Sequence, residues 1–122
     1  MISNTVPVAT HQVPDAAAPN AAYQLGDIFY KSWGYDQTNV NFYQVTGKKG
    51  RVTLLLRELA KDTRYIESMS GYSSPIKDNF IDEPEFSVRV TSLEQHGLRP
   101  VEFQAGDAGQ QKYKEYYFTC YA

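Results

Sequence analysis

Apolar and polar residues alternate with a period of two through several short stretches of this chain, the mark of strands that bury one face. In EFSVRVTSL, Phe86, Val88 and Val90 fall on one side while Ser87, Arg89 and Thr91 fall on the other. In RVTLLLREL the inward set is Val52, Leu54 and Leu56. YQLGDIFYKSW opens on the turn residues Gly26 and Asp27 and runs into the β-formers Ile28, Phe29 and Tyr30, predicting a first strand that ends near Trp33. VNFYQV is a second strand with Val40 and Phe42 on one face and Tyr43 and Val45 on the other, so neither face reads as fully wet.

Between these strands, residues 34–39 read as a loop, and TGKKG reads as a hairpin connection in which Gly47 and Gly50 supply the positive φ of a tight turn. KDTRYIESMSGY is predicted as a fourth strand, because Thr63, Tyr65 and Ile66 lose χ1 freedom in a helix. Residues 73–84 carry Pro75, Asp78, Asn79, Asp82, Glu83 and Pro84 and read as an irregular loop. VEFQ is a further short strand and AGDAGQQ a turn. KYKEYYFTCYA reads as one long aromatic strand, with Tyr116, Phe118 and Cys120 on one face and Tyr113, Tyr117 and Tyr121 on the other. A strand greasy on both faces belongs in a sheet that curls on itself. The expected fold is therefore mainly β, a small antiparallel barrel or strongly curved sheet of about six or seven strands with little helix.

Residues 1–22 hold Pro7, Pro14 and Pro19 with Asp15 as their one charged side chain. Such a stretch buries too little apolar surface to offset the cost of ordering it, which predicts a flexible or irregular segment ahead of a single β-rich domain over residues 23–122. At 122 residues the chain has room for one hydrophobic core.

Composition adjusts this picture in three ways. The 10 Tyr and 6 Phe strengthen the sheet reading. The net charge of -2 argues against a broadly basic body wrapped around nucleic acid. Cys120 is the single cysteine, so an internal disulfide is excluded and a reducing compartment fits. The first residues lack a basic stretch followed by a continuous apolar one, and no segment approaches the run of about 18 apolar residues of a membrane span. A cytoplasmic protein without a membrane partner is expected.

Catalytic chemistry finds little to use. His11 and His96 are the only histidines, and His11 falls in the N-terminal segment. Cys120 sits on a strand face among aromatics, where a thiol acts as a small hydrophobe. One cysteine and two histidines cannot close a zinc site, no spacing resembles a calcium loop, and no metal or cofactor is expected. The residues therefore favour a non-enzymatic protein.

The densest chemistry lies in SWGYDQTNVNFY. In a structural account, Gly34 turns the chain, Asp36 and Asn39 bond local backbone N–H groups, and Trp33 with Phe42 plugs one end of the barrel. In a functional account, Tyr35, Gln37 and Asn39 present hydrogen-bonding groups beside the aromatic floor of Trp33, suited to recognising a protein anchor, a peptide or a base. The binding residues expected are Trp33, Tyr35, Asp36, Gln37 and Asn39, with Lys48, Lys49 and Arg51 of the hairpin as an auxiliary contact.

GDIFYKSWGYDQTNVNFYQV resembles the N-terminal signature of small uncharacterised proteins of bacteriophages, plasmids and other mobile elements, and YYFTCYA is similar to their aromatic ending in Tyr-Ala. The resemblance covers about the first third of the ordered chain and its last residues. It implies a phage or mobile-element setting and no residue-level role. The expectation is an accessory protein that binds a host protein or protein complex in the host cytoplasm, a defence system being one such target. Two alternatives stand beside it: a small nucleic-acid-binding module using the basic hairpin and aromatic residues, and a hydrolase or transferase with a site around Asp36. Pairing of an edge strand leaves a homodimer open.

Overall fold

The computed structural model describes residues 18–34, 37–105 and 111–119. The fold is mainly β, a strongly curled antiparallel sheet that forms a half-barrel. β1 (Ile28–Trp33) pairs with β2 (Asn39–Lys49) from Ile28↔Gln44 to Trp33↔Asn39. The bend between them requires glycine: Gly34 has φ of 129°, and a Cβ there would stand 1.9 Å from the Gln37 carbonyl oxygen.

β2 is longer than its apolar stretch. Gly47 lies inside it rather than in the hairpin, at a bulge that shifts the register between Val45 and Gly47. The turn itself falls at Gly50, with φ of 61°. Asn20 clamps it from outside, its Nδ2 donating to Gly50 O at 2.9 Å and Thr53 O at 3.2 Å, while its backbone N–H donates to Arg51 O at 3.0 Å. Asn20 is buried and sits in a 3-10 turn, Pro19–Ala22, so these residues of the N-terminal segment already belong to the packed body.

The largest departure from the expected strands follows. β3 (Thr53–Glu67) continues through the stretch expected to be a separate fourth strand, and β4 (Ser70–Phe80) occupies most of the stretch expected to be a loop. Polar residues interrupt the apolar pattern after Leu59 because the side chains of the distal half of β3 are exposed, Tyr65 alone among them packing its ring edge-to-face on the core residue Phe118. Pro75 and Asp78 read as breakers, yet they fall where β4 bulges: Leu59 pairs with Phe80 and Lys61 with Pro75, looping out the residues between.

β5 (Phe86–Arg89) shares with β4 the same edge of β3, pairing from Leu56↔Phe86 to Thr53↔Arg89. The alternation stops at a 3-10 turn, Val90–Ser92, and Phe86 is partly exposed rather than inward. β6 (Leu98–Pro100) adds to the free edge of β1. β7 (Phe103–Ala105) and β8 (Gln111–Tyr113) form a separate ribbon. β9 (Tyr116–Thr119) pairs with β4, and the long aromatic strand expected here is broken between Tyr113 and Tyr116. The main sheet runs β6-β1-β2-β3-β4-β9.

Both faces carry a core. Phe29, Val45, Leu54, Leu56, Val88, Leu93 and Leu98 pack on one face, and Ile28, Val40, Phe42, Leu59 and Phe118 on the other. The second is enclosed because β9 returns to the start of β2: Thr119 N–H donates to Thr38 O at 2.9 Å, and Thr38 N–H donates to Thr119 Oγ1 at 2.8 Å. Where β2 and β3 splay apart beyond Phe42↔Leu59, Lys61 Nζ donates to the Val40 carbonyl at 2.7 Å. No described helix is long and apolar enough to cross a membrane.

Candidate binding face around Trp33

Residues directly opposite in an antiparallel pair project from the same face. Phe29, Lys31 and Trp33 of β1 therefore share a face with their partners Tyr43, Asn41 and Asn39 of β2. Trp33 is 50% exposed, so it stands at the rim and does not plug the barrel; Phe42, at 0%, does that on the opposite face. Its ring is nonetheless held. Trp33 Nε1 donates to Asn41 Oδ1, and Asn41 Nδ2 donates to Glu58 Oε2 at 2.9 Å. The seam joins three strands and fixes an open indole in one orientation, which lowers the entropy lost when a partner covers it.

Asn39 turns its amide inward to the bend, donating from Nδ2 to Trp33 O at 3.4 Å, so it acts as a donor to a carbonyl and not as the expected acceptor from a backbone N–H.

Further along the same face the sheet curls until β5 and β6, on opposite margins, line a common hollow of about 100 Å³. Its walls are Lys31, Tyr43, Phe86, Ser87, Val88, His96 and Leu98. Tyr43 and Phe86 meet edge-to-face, their centroids 5.5 Å apart. Burial, and secondarily the charge of Glu58, which is its register partner on β3, push the Tyr43 hydroxyl above the ordinary phenol range.

The expected site residues divide. Trp33 and Asn39 lie together on this face, and Gln37 is half-buried in the bend beside them. Tyr35 and Asp36 lie outside the described residues. Lys48, Lys49 and Arg51 are at the far end of β2, whose 11 residues put roughly 30 Å between the basic turn and the tryptophan at about 3.3 Å per residue. The structure does not bring the two groups together. Lys31, Asn41, Tyr43, Glu58 and Phe86 belong to the face and were not expected there. Alternation alone places Lys31 with Trp33, and Asn41 with Asn39 and Tyr43. The pairing across to Glu58 and Phe86 is long-range and leaves no local signal. His96 is exposed and reaches the rim of the hollow.

Among the described residues no three His, Cys, Asp or Glu side chains gather as metal ligands. No family model, curated protein or solved structure matches the chain. The functional reading rests on the geometry of this face and on the sequence.

Proposed function

We propose that this chain is a non-enzymatic accessory protein of a phage or mobile element that acts by binding a host protein or protein complex, and that the Trp33 face is the contact surface. The setting rests on the sequence resemblance. The binding role rests on one observation: the single tryptophan is half exposed and yet held by Asn41, which is itself held by Glu58. Solvated side chains are ordinarily left to sample rotamers, whereas tryptophans at the centres of interfaces are large and pre-set, and each carries about 2 kcal/mol or more when removed. Phe86 and Tyr43, at the other end of the face, widen the apolar area.

The test is recovery of a cross-linked partner from host lysate by wild-type protein and by Trp33→Ala, with melting curves run on both. The reading expects a stoichiometric partner that Trp33→Ala no longer recovers while its melting temperature holds. Equal recovery of that partner by Trp33→Ala would remove the face from the interaction.

A further inference from the structure

The hollow at the far end of the Trp33 face carries information about what the partner presents. Its floor is continuous with the core, through Val88 and Leu98, and its sides are the rings of Tyr43 and Phe86. An apolar cavity of about 150 Å³ accommodates benzene. At about 100 Å³ this hollow suits a branched aliphatic side chain and is small for an aromatic one.

The rim is cationic on one side only. Lys31 is half-buried, and its stem crosses the bare Cα of Gly97: a Cβ there would lie 3.7 Å from Lys31 Cγ and 3.9 Å from Cε. Gly97 also has φ of 75°, a conformation that disfavours any side chain. The lysine stem is thus seated along the turn before β6, and Lys31 and His96 both line the hollow. Neither the Lys31 ammonium nor the His96 ring has a hydrogen bond or ion pair among the described residues. Glu58, the carboxylate opposite Tyr43, stands on β3, two strands or about 10 Å from Lys31, and is engaged by Asn41.

Resting on the binding role given to this face, we propose that the hollow receives an aliphatic side chain of the partner and that Lys31, with His96, pairs with an acidic residue next to it. The recognised element is an acidic peptide segment with an embedded leucine, isoleucine or valine. A basic or aromatic-centred segment does not satisfy the site. The aliphatic anchor supplies the buried area, and the lysine sets direction and sign along the strand.

The experiment titrates nitrogen-15 labelled protein with three blocked hexapeptides: leucine flanked by aspartates, leucine flanked by lysines, and alanine flanked by aspartates. Amide shifts report binding down to millimolar affinity. The aspartate–leucine peptide is expected to perturb Lys31, Tyr43, Phe86 and Leu98, and to bind about tenfold tighter than either counterpart. Lys31→Glu is expected to abolish that preference. Equal affinity for the lysine peptide, retention of the preference in Lys31→Glu, or no shift at these residues at millimolar peptide overturns the proposal. If a partner is lost with Trp33→Ala but the peptides show no preference, only the inference about the hollow fails. A partner indifferent to Trp33→Ala removes the binding role itself.

Discussion

Gln44 and Asp78 hold each other twice: Gln44 Nε2 donates to Asp78 Oδ1 at 2.8 Å, and the Asp78 backbone N–H donates to Gln44 Oε1 at 2.9 Å. Asp78 is the one non-glycine residue with positive φ among the described residues, at 65°. Its conformation is the point at which β4 can bulge and still rejoin β3 at Phe80. Gln44 is 5% exposed, so its amide has no water to fall back on.

Removing this clamp has a definite cost. Gln44→Ala is expected to lower stability by about 1–3 kcal/mol in urea denaturation, because the looped-out residues lose both bonds. Asp78→Asn keeps an acceptor oxygen and tolerates the left-handed region, so it should cost less than about 1 kcal/mol. A Gln44→Ala variant as stable as wild type would mean that the bulge is held elsewhere.

The seam at Trp33 gives an optical test. Trp33 is the only tryptophan, so its emission and anisotropy report on that ring alone. Asn41→Ala removes the acceptor for Nε1 at an exposed site, where the loss is about 1 kcal/mol or less. The expected outcome is a small change in melting temperature with a clear fall in steady-state anisotropy as the indole gains rotamers. Unchanged anisotropy would show that neighbouring contacts, and not Asn41, fix the ring.

The strands that bury a face on each side were legible from alternation: Ile28 to Trp33, Val40 to Val45, and Leu54 with Leu56 lie as the pattern places them. The hidden parts have physical reasons. Lys61 to Glu67 are exposed strand residues held chiefly by cross-strand bonds to β4, so no apolar periodicity marks them. Closure of β9 onto Thr38 joins residues 81 positions apart through one hydroxyl and one amide, which composition does not encode. Of the candidate site, the tryptophan bend was legible from its density of aromatic and amide groups. The hollow was not, because Phe86, His96 and Leu98 reach it only once the sheet has curled.

Tyr43 links the face to stability at high pH. Its pKa is raised above the ordinary 10.0, first by burial and then by Glu58. The folded state therefore holds this proton more tightly than the unfolded chain does. That contribution is fully present below about pH 10 and is lost as pH rises through the folded-state value. Tyr113 and Tyr116 are raised in the same direction, burial being the first cause in each, and add to the slope. Tyr43→Phe is expected to melt as wild type does at pH 7 and to show a shallower decline above pH 10. An identical alkaline decline would assign the slope to Tyr113 and Tyr116.

The basic turn at Lys48 and Lys49 tests whether the chain has one contact surface or two. Both lysines are exposed at the end of β2, roughly 30 Å from Trp33 by strand rise. Sites separated by more than about 10 Å with no shared partner act additively to within a few tenths of a kcal/mol. Lys48→Ala with Lys49→Ala should therefore leave the affinity of a partner bound at the Trp33 face within about twofold, at low and at moderate salt. Nucleic-acid binding through the turn would behave differently, weakening on the same double substitution and falling steeply as salt rises. Titrations with the protein partner and with a single-stranded oligonucleotide, each at two salt concentrations, separate the cases. A protein partner whose affinity collapses on the lysine substitutions would have to span the length of β2, and the hollow would then be one end of a larger interface.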